Sequence, residues 1–321
     1  MNTQKRRAAQ ILSALLLTLA LVLSACGGKT NPGNETPSAP ESTVSAAQSA
    51  ETGVPESGSE SPVEPARLSF SEKDIHTGDL VLVNSVYPFD FEANADTLDI
   101  RNIRENQSFY YQVDKLEFSV AGRILPHLDA MIAACDEAMG TKETGITSAY
   151  RTKEYQQGVM EEITAAYGES YAKKYVAAPG YSEHHTGLAV DVGIFYPDGS
   201  QGSFSESRNA VWMRENCQKF GFVRRYAEDK TAITGISNEA WHFRYVGMPH
   251  AFYMAANNLC LEEYIDYLRA GTSAEAPLTV TSDDGTYEIF FTAETEIEEP
   301  EGEYTISGNN VDGIIVTVKK A

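Results

Sequence analysis

Hydrophobic residues recur at helix and strand spacings from about residue 68 onward. The clearest helix is predicted over residues 123–139, where apolar side chains repeat every three or four positions and Gly140 follows as a stop signal. The same patterns predict further helices over 153–167, 209–220 and 250–268, and strands over 80–83, 146–150, 188–194 and 241–246. Because helices and strands mix without a strict βαβ repeat, the predicted fold class is α+β.

The pattern changes after Gly271, where short segments are separated by Asp-Gly and Gly-Asn turns. Strands are predicted at 277–280, 287–292, 303–307 and 314–318, with a run of glutamates before the third. We therefore expect an acidic, β-rich C-terminal appendage over 272–321, which is marginal as an independent core. Its removal is expected to leave the preceding domain intact. The alternative is that its strands complete the core of that domain.

The first residues carry the pattern of an export signal. A basic start at Lys5, Arg6 and Arg7 precedes an almost wholly apolar run over 11–23, which is short for a membrane-spanning helix. The Leu-Ser-Ala-Cys sequence that ends at Cys26 resembles a bacterial lipobox. This resemblance implies a signal peptide over 1–25, lipidation of Cys26 and an extracytoplasmic protein anchored to the membrane by its lipid. An uncleaved anchor, or a plain signal peptide with a chance cysteine, is the alternative.

The segment that follows Cys26 is dominated by Gly, Ser, Pro, Glu, Thr and Ala. It has too few large apolar residues to offset its ordering entropy, so residues 26–66 are predicted to form a disordered tether. A coil of about 40 residues spans roughly 35 Å on average and roughly 130 Å when fully stretched. Such a reach suits a domain, predicted over 67–271, that works at a distance from the membrane.

The net charge of the chain is −21 over 321 residues. This charge excludes nucleic acid as a partner, because binding phosphates requires Lys and Arg, and it excludes a basic patch for anionic lipid. The remaining cysteines, Cys135, Cys217 and Cys260, are too few and too widely spaced for a disulfide framework or a CxxC metal site. We interpret them as buried small residues, with a disulfide between one pair left open, and we expect a monomer.

Two histidine-containing blocks are the candidates for chemistry: residues 182–191, which read SEHHTGLAVD, and residues 239–245, which read EAWHFRY. Two imidazoles and a carboxylate can hold zinc with a fourth position open for water. A further carboxylate must then accept a proton from that water, and Glu239 is the candidate. Spacing alone leaves open a plainer alternative, in which the histidines are hydrogen-bonded core residues and the aspartate belongs to a turn.

The block at 182–191 resembles the SxHxxGxAxD signature of the vancomycin-resistance-type D,D-carboxypeptidases (VanY-like). They belong to a wider group with D-Ala-D-Ala metallopeptidases, lysostaphin and hedgehog. Residues 148–152, SAYRT, together with Gln156, are similar to the family's S-G-Y-R-S…Q block, and residues 221–226, 233–236 and 239–247 are similar to its C-terminal block. The resemblance runs from about residue 80 to 268, with the motifs in the expected order. It implies the α+β fold of these zinc peptidases.

The resemblance implies a role for each matching residue. One Zn²⁺ would be held by His184, Asp191 and His242, and Glu239 would serve as general base and then acid. Arg151 would clamp the terminal carboxylate of the substrate, where the alternative is a surface salt bridge. Positioning roles fall to the remaining matched residues, with Trp241 packed beside the metal: Ser182, Gln156, Tyr150 and Trp241.

Three positions depart from the family pattern. His185 stands where the family often has Gln, although the register to Gly187 and Asp191 selects His184 as the ligand. Ala149 replaces the usual Gly, and Ala240 replaces the usual Pro before Trp. None of the three changes removes a chemical group that the reaction needs.

The resemblance implies a zinc carboxypeptidase that removes the C-terminal D-alanine from peptidoglycan stem peptides. Alternatives within the superfamily are an L,D-carboxypeptidase and a D,D-dipeptidase. A third alternative is a wall-binding module that contains zinc but is catalytically inactive. Retention of Glu239 beside the complete ligand set argues against this last alternative, because an inactive site does not need its base.

Overall fold

The computed structural model describes residues 66–320. The predicted signal peptide, the predicted lipidation site at Cys26 and almost all of the predicted tether lie outside the described residues. From Ala66 onward the chain forms one compact unit. Among residues 66–320 there is no helix that combines the length and the apolarity needed to cross a bilayer.

Strands and helices alternate irregularly along the described chain, as the sequence predicts. The strands are β1 (Arg67–Ser69), β2 (Ile100–Asn102), β3 (Gln112–Val113), β4 (Ser119–Ala121), β5 (Thr144–Ser148), β6 (Ala189–Phe195), β7 (Gln201–Gly202), β8 (Phe222–Tyr226), β9 (Glu239–Tyr245), β10 (Leu278–Ser282), β11 (Gly285–Thr292), β12 (Glu296–Glu298), β13 (Tyr304–Gly308) and β14 (Ile314–Lys319). The α-helices are α1 (Glu72–Ile75), α2 (Ile103–Asn106), α3 (Leu125–Met139), α4 (Lys153–Tyr167), α5 (Glu169–Tyr175), α6 (Arg208–Asn216), α7 (Thr231–Thr234), α8 (Met248–Ala256) and α9 (Leu261–Gly271). The fold class is α+β, as predicted.

The central sheet has the strand order β3-β5-β6-β9-β8, with β7 paired to β6. All its pairs are antiparallel except β3 with β5. Because side chains alternate between the two faces of a strand, each central strand divides its residues between two environments. One face packs on α3 and α6 in the largest hydrophobic cluster, which includes Val190, Val192, Ile194, Phe243, Leu128, Met131, Ile132 and Met213. The intervening positions Asp191 and His242 therefore lie on the opposite face.

Local signals explain the C-terminal end of α3 and both ends of α4. Helix α3 ends at Met139, and Gly140 caps it in the left-handed conformation with φ 70°. Helix α4 has the predicted bounds, and the Thr152 side chain caps it by accepting a hydrogen bond from the Tyr155 N–H. The prediction of one helix over 250–268 is wrong. The chain forms α8 and α9 with a turn between them, in which Asn258 has φ 50° and the Glu263 carboxylate accepts the N–H of Cys260.

The prediction of a strand over residues 80–83 is also wrong, although all four side chains are buried. The backbone of this segment does not pair with a strand. It forms hydrogen bonds with side-chain and backbone groups near the C-terminus instead. The Leu80 N–H donates to Ser307 Oγ at 2.8 Å, and the Leu82 N–H donates to the Asn309 carbonyl at 3.1 Å. A run of apolar residues indicates burial, but the partner of its backbone comes from distant parts of the chain.

The four C-terminal strands exist as predicted and form an antiparallel sheet in the order β10-β11-β14-β13. This sheet does not stand apart from the preceding residues, because it shares a hydrophobic cluster with α8, α9 and the 80–83 segment. That cluster contains Val280, Ile289 and Ile315 together with Leu80, Leu82, Ala251, Met254, Leu261, Ile265 and Leu268. The division at residue 271 stays a prediction, and the packing favours the alternative that these strands complete the core.

The three described cysteines, Cys135, Cys217 and Cys260, are buried and unpaired within residues 66–320. Burial raises the pKa of Cys135 to about 11 and the pKa values of Cys217 and Cys260 to about 12, so all three are neutral thiols at physiological pH. Their packing agrees with the interpretation that they serve as small apolar residues.

Candidate active site

Three side chains converge on one face of the paired strands β6 and β9. His184, Asp191 and His242 are all buried, and one potential ligand atom from each lies within 4.8 Å of the others. The sheet register explains part of this arrangement, because Asp191 and His242 are directly opposed across β6 and β9. Directly opposed side chains on one face of an antiparallel pair are close neighbours. Residues 51 positions apart in the sequence thus become adjacent.

His184 reaches the cluster from a 3₁₀ turn, Glu183–Thr186, just before β6. Gly187 ends this turn with φ 69°, and a Cβ there would lie 2.9 Å from the backbone nitrogen of Ala121. Only glycine satisfies both conditions, since other residues rarely adopt this φ and their side chain would collide with that backbone. Gly187 therefore allows the turn to direct His184 toward Asp191.

The hydrogen bonds of the two histidines select which ring nitrogen faces the cluster. Nδ1 of His184 lies 2.7 Å from the Ala149 carbonyl oxygen, which can only accept, so Nδ1 carries a proton and Nε2 faces Asp191 Oδ2 at 3.4 Å. Nε2 of His242 lies 3.3 Å from Glu183 Oε2, while its Nδ1 lies 3.1 Å from Asp191 Oδ1. Each imidazole thus has an outer hydrogen-bond partner and an inward nitrogen, as zinc-binding histidines do.

The pKa values of the two histidines in this site are shifted in opposite directions. Burial, together with the charge of Arg151, lowers the pKa of His184 to about 4, so this ring is neutral. Burial also opposes protonation of His242, but its hydrogen bonds to Asp191 and Glu183 outweigh that effect and raise its pKa to about 9. The proton on His242 thus occupies the position that a divalent cation would take. Metal binding at such a site must release the proton, so acidification should weaken it.

Glu239 begins β9 at the edge of the three-residue cluster. Its side chain is buried, and Oε2 lies 3.8 Å from Nδ1 of His242, beyond hydrogen-bond distance. Burial raises the pKa of Glu239 to about 8, against the opposing charge of His242. A carboxyl group beside the cluster, but outside it, can exchange protons near neutral pH.

Arg151 lies at the rim of the cluster with 16% of its side chain exposed. Nε and Nη2 donate to Ser148 Oγ at 3.0 and 2.8 Å, and Nη2 also donates to Asp191 Oδ2 at 3.2 Å. Nη1 donates to Gln156 Oε1 at 3.1 Å. A guanidinium has about five N–H groups, so these contacts leave a hydrogen of Nη1 for a ligand. Arg151 is therefore part of the site and not an exposed surface cation.

The other predicted residues occupy different places. Gln156 is buried. Its Oε1 accepts a hydrogen bond from Arg151, and its Nε2 donates one to the Ala177 carbonyl at 2.8 Å. Ser182 accepts the His184 N–H at 3.4 Å and caps the 3₁₀ turn, so it supports the turn that carries the metal-binding candidate. Tyr150 is half-buried next to Arg151. Trp241 packs against the main hydrophobic cluster, on the side of β9 that Phe243 occupies.

His185 has a structural task that the sequence does not reveal. Its Nδ1 donates to the Arg151 carbonyl at 2.7 Å, and its Nε2 accepts the Gly180 N–H at 3.0 Å. Its ring also lies 5.0 Å from that of Phe91. Both ring nitrogens are occupied, so His185 is not a ligand candidate and instead holds the backbone that carries Arg151. Ser148, which supports the same guanidinium, was likewise not singled out from the sequence.

A buried charge cluster behind His242 was also missed. Glu183 accepts hydrogen bonds from Arg225 Nε at 2.8 Å and from Arg244 Nη1 at 3.0 Å, and Arg225 forms two further bonds to Glu262. One signal is present in the sequence, because Glu183 and both arginines lie inside the motif blocks. Charged residues within buried strands require partners, yet the pattern does not say which.

Comparisons with known proteins found similar sequences. The sequence profile of the family described as VanY, D-alanyl-D-alanine carboxypeptidase, matches residues 117–248. A D-alanyl-D-alanine carboxypeptidase of Enterococcus faecium is 35% identical over 256 residues, which are 78% of this chain and 78% of that protein. A bifunctional D-Ala-D-Ala dipeptidase and D-Ala-D-Ala carboxypeptidase of Enterococcus gallinarum is 42% identical over 130 residues, 40% of this chain and 68% of that protein.

The fold also matches a solved structure. The vancomycin resistance D,D-dipeptidase VanXYg, in complex with a D-Ala-D-Ala phosphinate analog, is similar with a TM-score of 0.70 and 30% identity. The similarity covers 79% of this chain and 99% of that chain. It therefore includes much more of this chain than the two histidine-containing blocks.

Proposed function

This chain belongs to the VanY family of D-alanyl-D-alanine carboxypeptidases, and we propose that it is a zinc enzyme that removes the terminal D-alanine from peptidoglycan stem peptides. The observation that carries the proposal is the buried cluster of His184, Asp191 and His242 with Glu239 at its edge and Arg151 at its rim. These residues combine a metal-binding set, a proton acceptor and a cation for the substrate carboxylate within one site.

The donor atoms fit one zinc ion. His184 Nε2, His242 Nδ1 and a carboxylate oxygen of Asp191 would hold it, which is the type of set found in catalytic zinc sites that keep a position open. A bound zinc would supply a Lewis acid that activates water and polarises the scissile carbonyl. The hydrogen bonds of Ala149 and Glu183 keep the outer nitrogens of the two rings protonated, so the inner nitrogens offer lone pairs.

Glu239 would move the protons. It is not one of the three proposed ligands, and its buried carboxylate lies beside them. It accepts a proton from the attacking water and then donates a proton to the leaving D-alanine amine, as the C–N bond breaks. A raised pKa suits this double role, because the group must both take and give a proton near neutral pH.

Arg151 would select substrates with a free terminal carboxylate. Its planar guanidinium matches a carboxylate with two parallel hydrogen bonds, and Ser148 and Gln156 hold the group in place. A two-nitrogen contact requires Nη2 to exchange its bond to Asp191 for the substrate oxygen. The carboxylate of Asp191 would then be free to serve the metal alone.

Arg151→Ala should lower kcat/KM on a stem peptide on the order of 100-fold or more, because it removes one partner of a buried charge pair. Amidating the terminal carboxylate of the peptide should impair the wild-type enzyme by a similar factor and the variant far less. This non-additivity measures direct contact, with a coupling on the order of 0.5–3 kcal/mol. Zinc content should stay normal in the variant, as it should in the control Arg214→Ala on the exposed side of α6. Equal cleavage of free and amidated peptides by wild-type enzyme would contradict the carboxypeptidase assignment.

A D,D-dipeptidase is the second candidate, and the similarity to a D,D-dipeptidase over 99% of its chain favours it. The two activities differ in the size of their substrate. Defined muropeptides that end in D-Ala–D-Ala, free D-Ala–D-Ala and stems that end in L-Lys–D-Ala should be incubated in parallel and their products weighed. Loss of one alanine from the first substrate alone supports the proposal. Cleavage of only the second or only the third would assign the protein to the D,D-dipeptidases or the L,D-carboxypeptidases.

The substrate and the predicted export signal together point to the outer side of the membrane. We propose that Cys26, which lies outside the described residues, carries a lipid that holds the enzyme there. Cys26→Ala should therefore release the protein from the membrane fraction or leave its precursor unprocessed, while Cys217→Ala should change neither. A mature N-terminus at a residue other than position 26 would contradict the lipid anchor and leave the enzymatic proposal unaffected.

A further inference from the structure

We propose that Glu183 is a positioning residue that fixes both the orientation and the tautomer of His242. The proposal rests on the zinc site of the proposed function and assigns a role to a residue that does not itself contact metal or substrate. The Glu183 carboxylate is fully buried, and its Oε2 lies 3.3 Å from Nε2 of His242. Its other oxygen, Oε1, receives Arg225 and Arg244.

A carboxylate held by two arginines is ionised and can only accept hydrogen bonds. The nitrogen of His242 that faces Glu183 must therefore be the one that carries a proton, which leaves the lone pair on Nδ1. That nitrogen lies 3.1 Å from Asp191 Oδ1, inside the proposed zinc site. If the ring flipped about its Cβ–Cγ bond, Cδ2 would take the place of Nδ1, and if the proton moved to Nδ1, that nitrogen would have no lone pair. Either change would remove coordination. Orientation of a ligand by its outer hydrogen bond is a general feature of zinc sites.

The two histidines are oriented by different kinds of group. His184 is oriented by a backbone carbonyl, that of Ala149, and presents Nε2 to the cluster. His242 presents Nδ1 instead, and the group behind it is a side chain that a substitution can change. The position of Glu183 next to His184 along the chain lets one short turn supply a ligand and the support for the other ligand.

The arginines make this buried carboxylate possible. An unpaired carboxylate in the interior is strongly unfavourable, so it requires opposite charges and satisfied oxygens. Arg225 is held in turn by Glu262 at 2.8 and 2.6 Å, and Arg244 is held by the carbonyls of Asp79 and Val81 at 2.8 and 3.0 Å. Two acidic and two basic side chains thus balance each other. They anchor Glu183 to β8, β9, α9 and the segment next to residue 80.

Glu183→Gln tests the proposal because it keeps the shape and removes the second accepting oxygen. The single amide oxygen must turn toward the arginine donors, so the NH₂ group would face Nε2 of His242 and favour the wrong tautomer. Zinc affinity should fall about 10- to 100-fold, the usual effect of losing the outer partner of a zinc ligand. Titration against a competing chelator measures this change without any substrate.

Glu262→Gln is the matched control. It removes one negative charge from the same cluster, next to the same Arg225, but Glu262 does not contact His242. A general loss of stability would therefore appear in both variants, whereas the loss of zinc affinity should be confined to Glu183→Gln. Equal zinc affinities in the two variants would overturn the proposal.

A measurement on the wild-type protein covers the case in which Glu183→Gln does not fold. The protein is loaded with a spin-active cadmium isotope in place of zinc, and the histidine ring nitrogens are isotopically labelled. Metal–nitrogen coupling should appear at Nδ1 of His242 and at Nε2 of His184, with a slowly exchanging proton on Nε2 of His242. Coupling at Nε2 of His242 would refute the proposal. Neither result depends on peptide cleavage, so failure of the proposed function would be seen separately.

Discussion

Glu239→Gln should lower turnover of a D-Ala–D-Ala stem peptide by about 10²–10⁴-fold, the usual contribution of a positioned general acid–base group. Glutamine has nearly the same shape, so the fold and the three proposed ligands stay in place. It cannot accept a proton from water or deliver one to the leaving amine. Zinc content, measured by metal analysis of the purified variant, should therefore equal that of the wild type. A normal rate for this variant would exclude Glu239 as the base.

His242→Ala gives the complementary result. It removes a proposed ligand, so the metal itself should be lost, and activity should disappear with it. In the wild type a chelator should have the same effect, and added zinc should restore the rate. Glu215→Gln, on the exposed part of α6, is the control that should change neither metal content nor turnover. If Glu239→Gln emptied the site of zinc, the roles of base and ligand would have to be exchanged.

A chain that ends at residue 271 should fail to fold, which is the opposite of what the sequence pattern suggested. The sheet formed by β10, β11, β13 and β14 covers α8 and α9 and buries Val280, Ile289 and Ile315 in a shared cluster. Burying each such side chain contributes about 1.5–3 kcal/mol, whereas a whole domain is stable by only about 5–15 kcal/mol. Circular dichroism and thermal unfolding of the shortened chain measure the outcome.

Loss of the sheet would also disturb the active site, because a series of hydrogen bonds connects the two. Ser307 and Asn309 hold the backbone of Leu80 and Leu82, and the neighbouring carbonyl of Val81 accepts from Arg244. Arg244 in turn supports Glu183 behind the proposed zinc ligand. The C-terminal strands are thus part of the scaffold of the site, although none of their residues lies in it.

Single substitutions test the packing of the C-terminal sheet without removing it. Ile289→Ala, at a fully buried position of β11, should destabilise the protein by about 2–5 kcal/mol, and Thr279→Ala, at an exposed position of the neighbouring strand, should have little effect. If the chain ending at residue 271 folds, binds zinc and cleaves peptide normally, residues 272–321 are an appendage as the sequence suggested.

The sequence by itself identified the candidate residues for the proposed chemistry. His184, Asp191, His242, Glu239 and Arg151 were identified because their motif blocks resemble a known family, and the structure brings all five together. Helix α4 was bounded correctly because its signals are local: a threonine cap, an apolar repeat and a following glycine. The four C-terminal strands were predicted for the same reason, since turn residues and alternation are readable within a few positions.

Only the tertiary structure decided which distant groups meet. Burial of residues 80–83 could be predicted from their apolar side chains, but their backbone partners lie more than 160 positions away. The Arg225 and Arg244 contacts to Glu183 span 42 and 61 positions. The partners of the two His185 ring nitrogens, the Arg151 carbonyl and the Gly180 N–H, also come from the tertiary structure. A pattern along the chain records whether a side chain prefers the interior. The partner that satisfies a buried charge or a ring nitrogen is set by strand register and loop packing, which no local pattern contains.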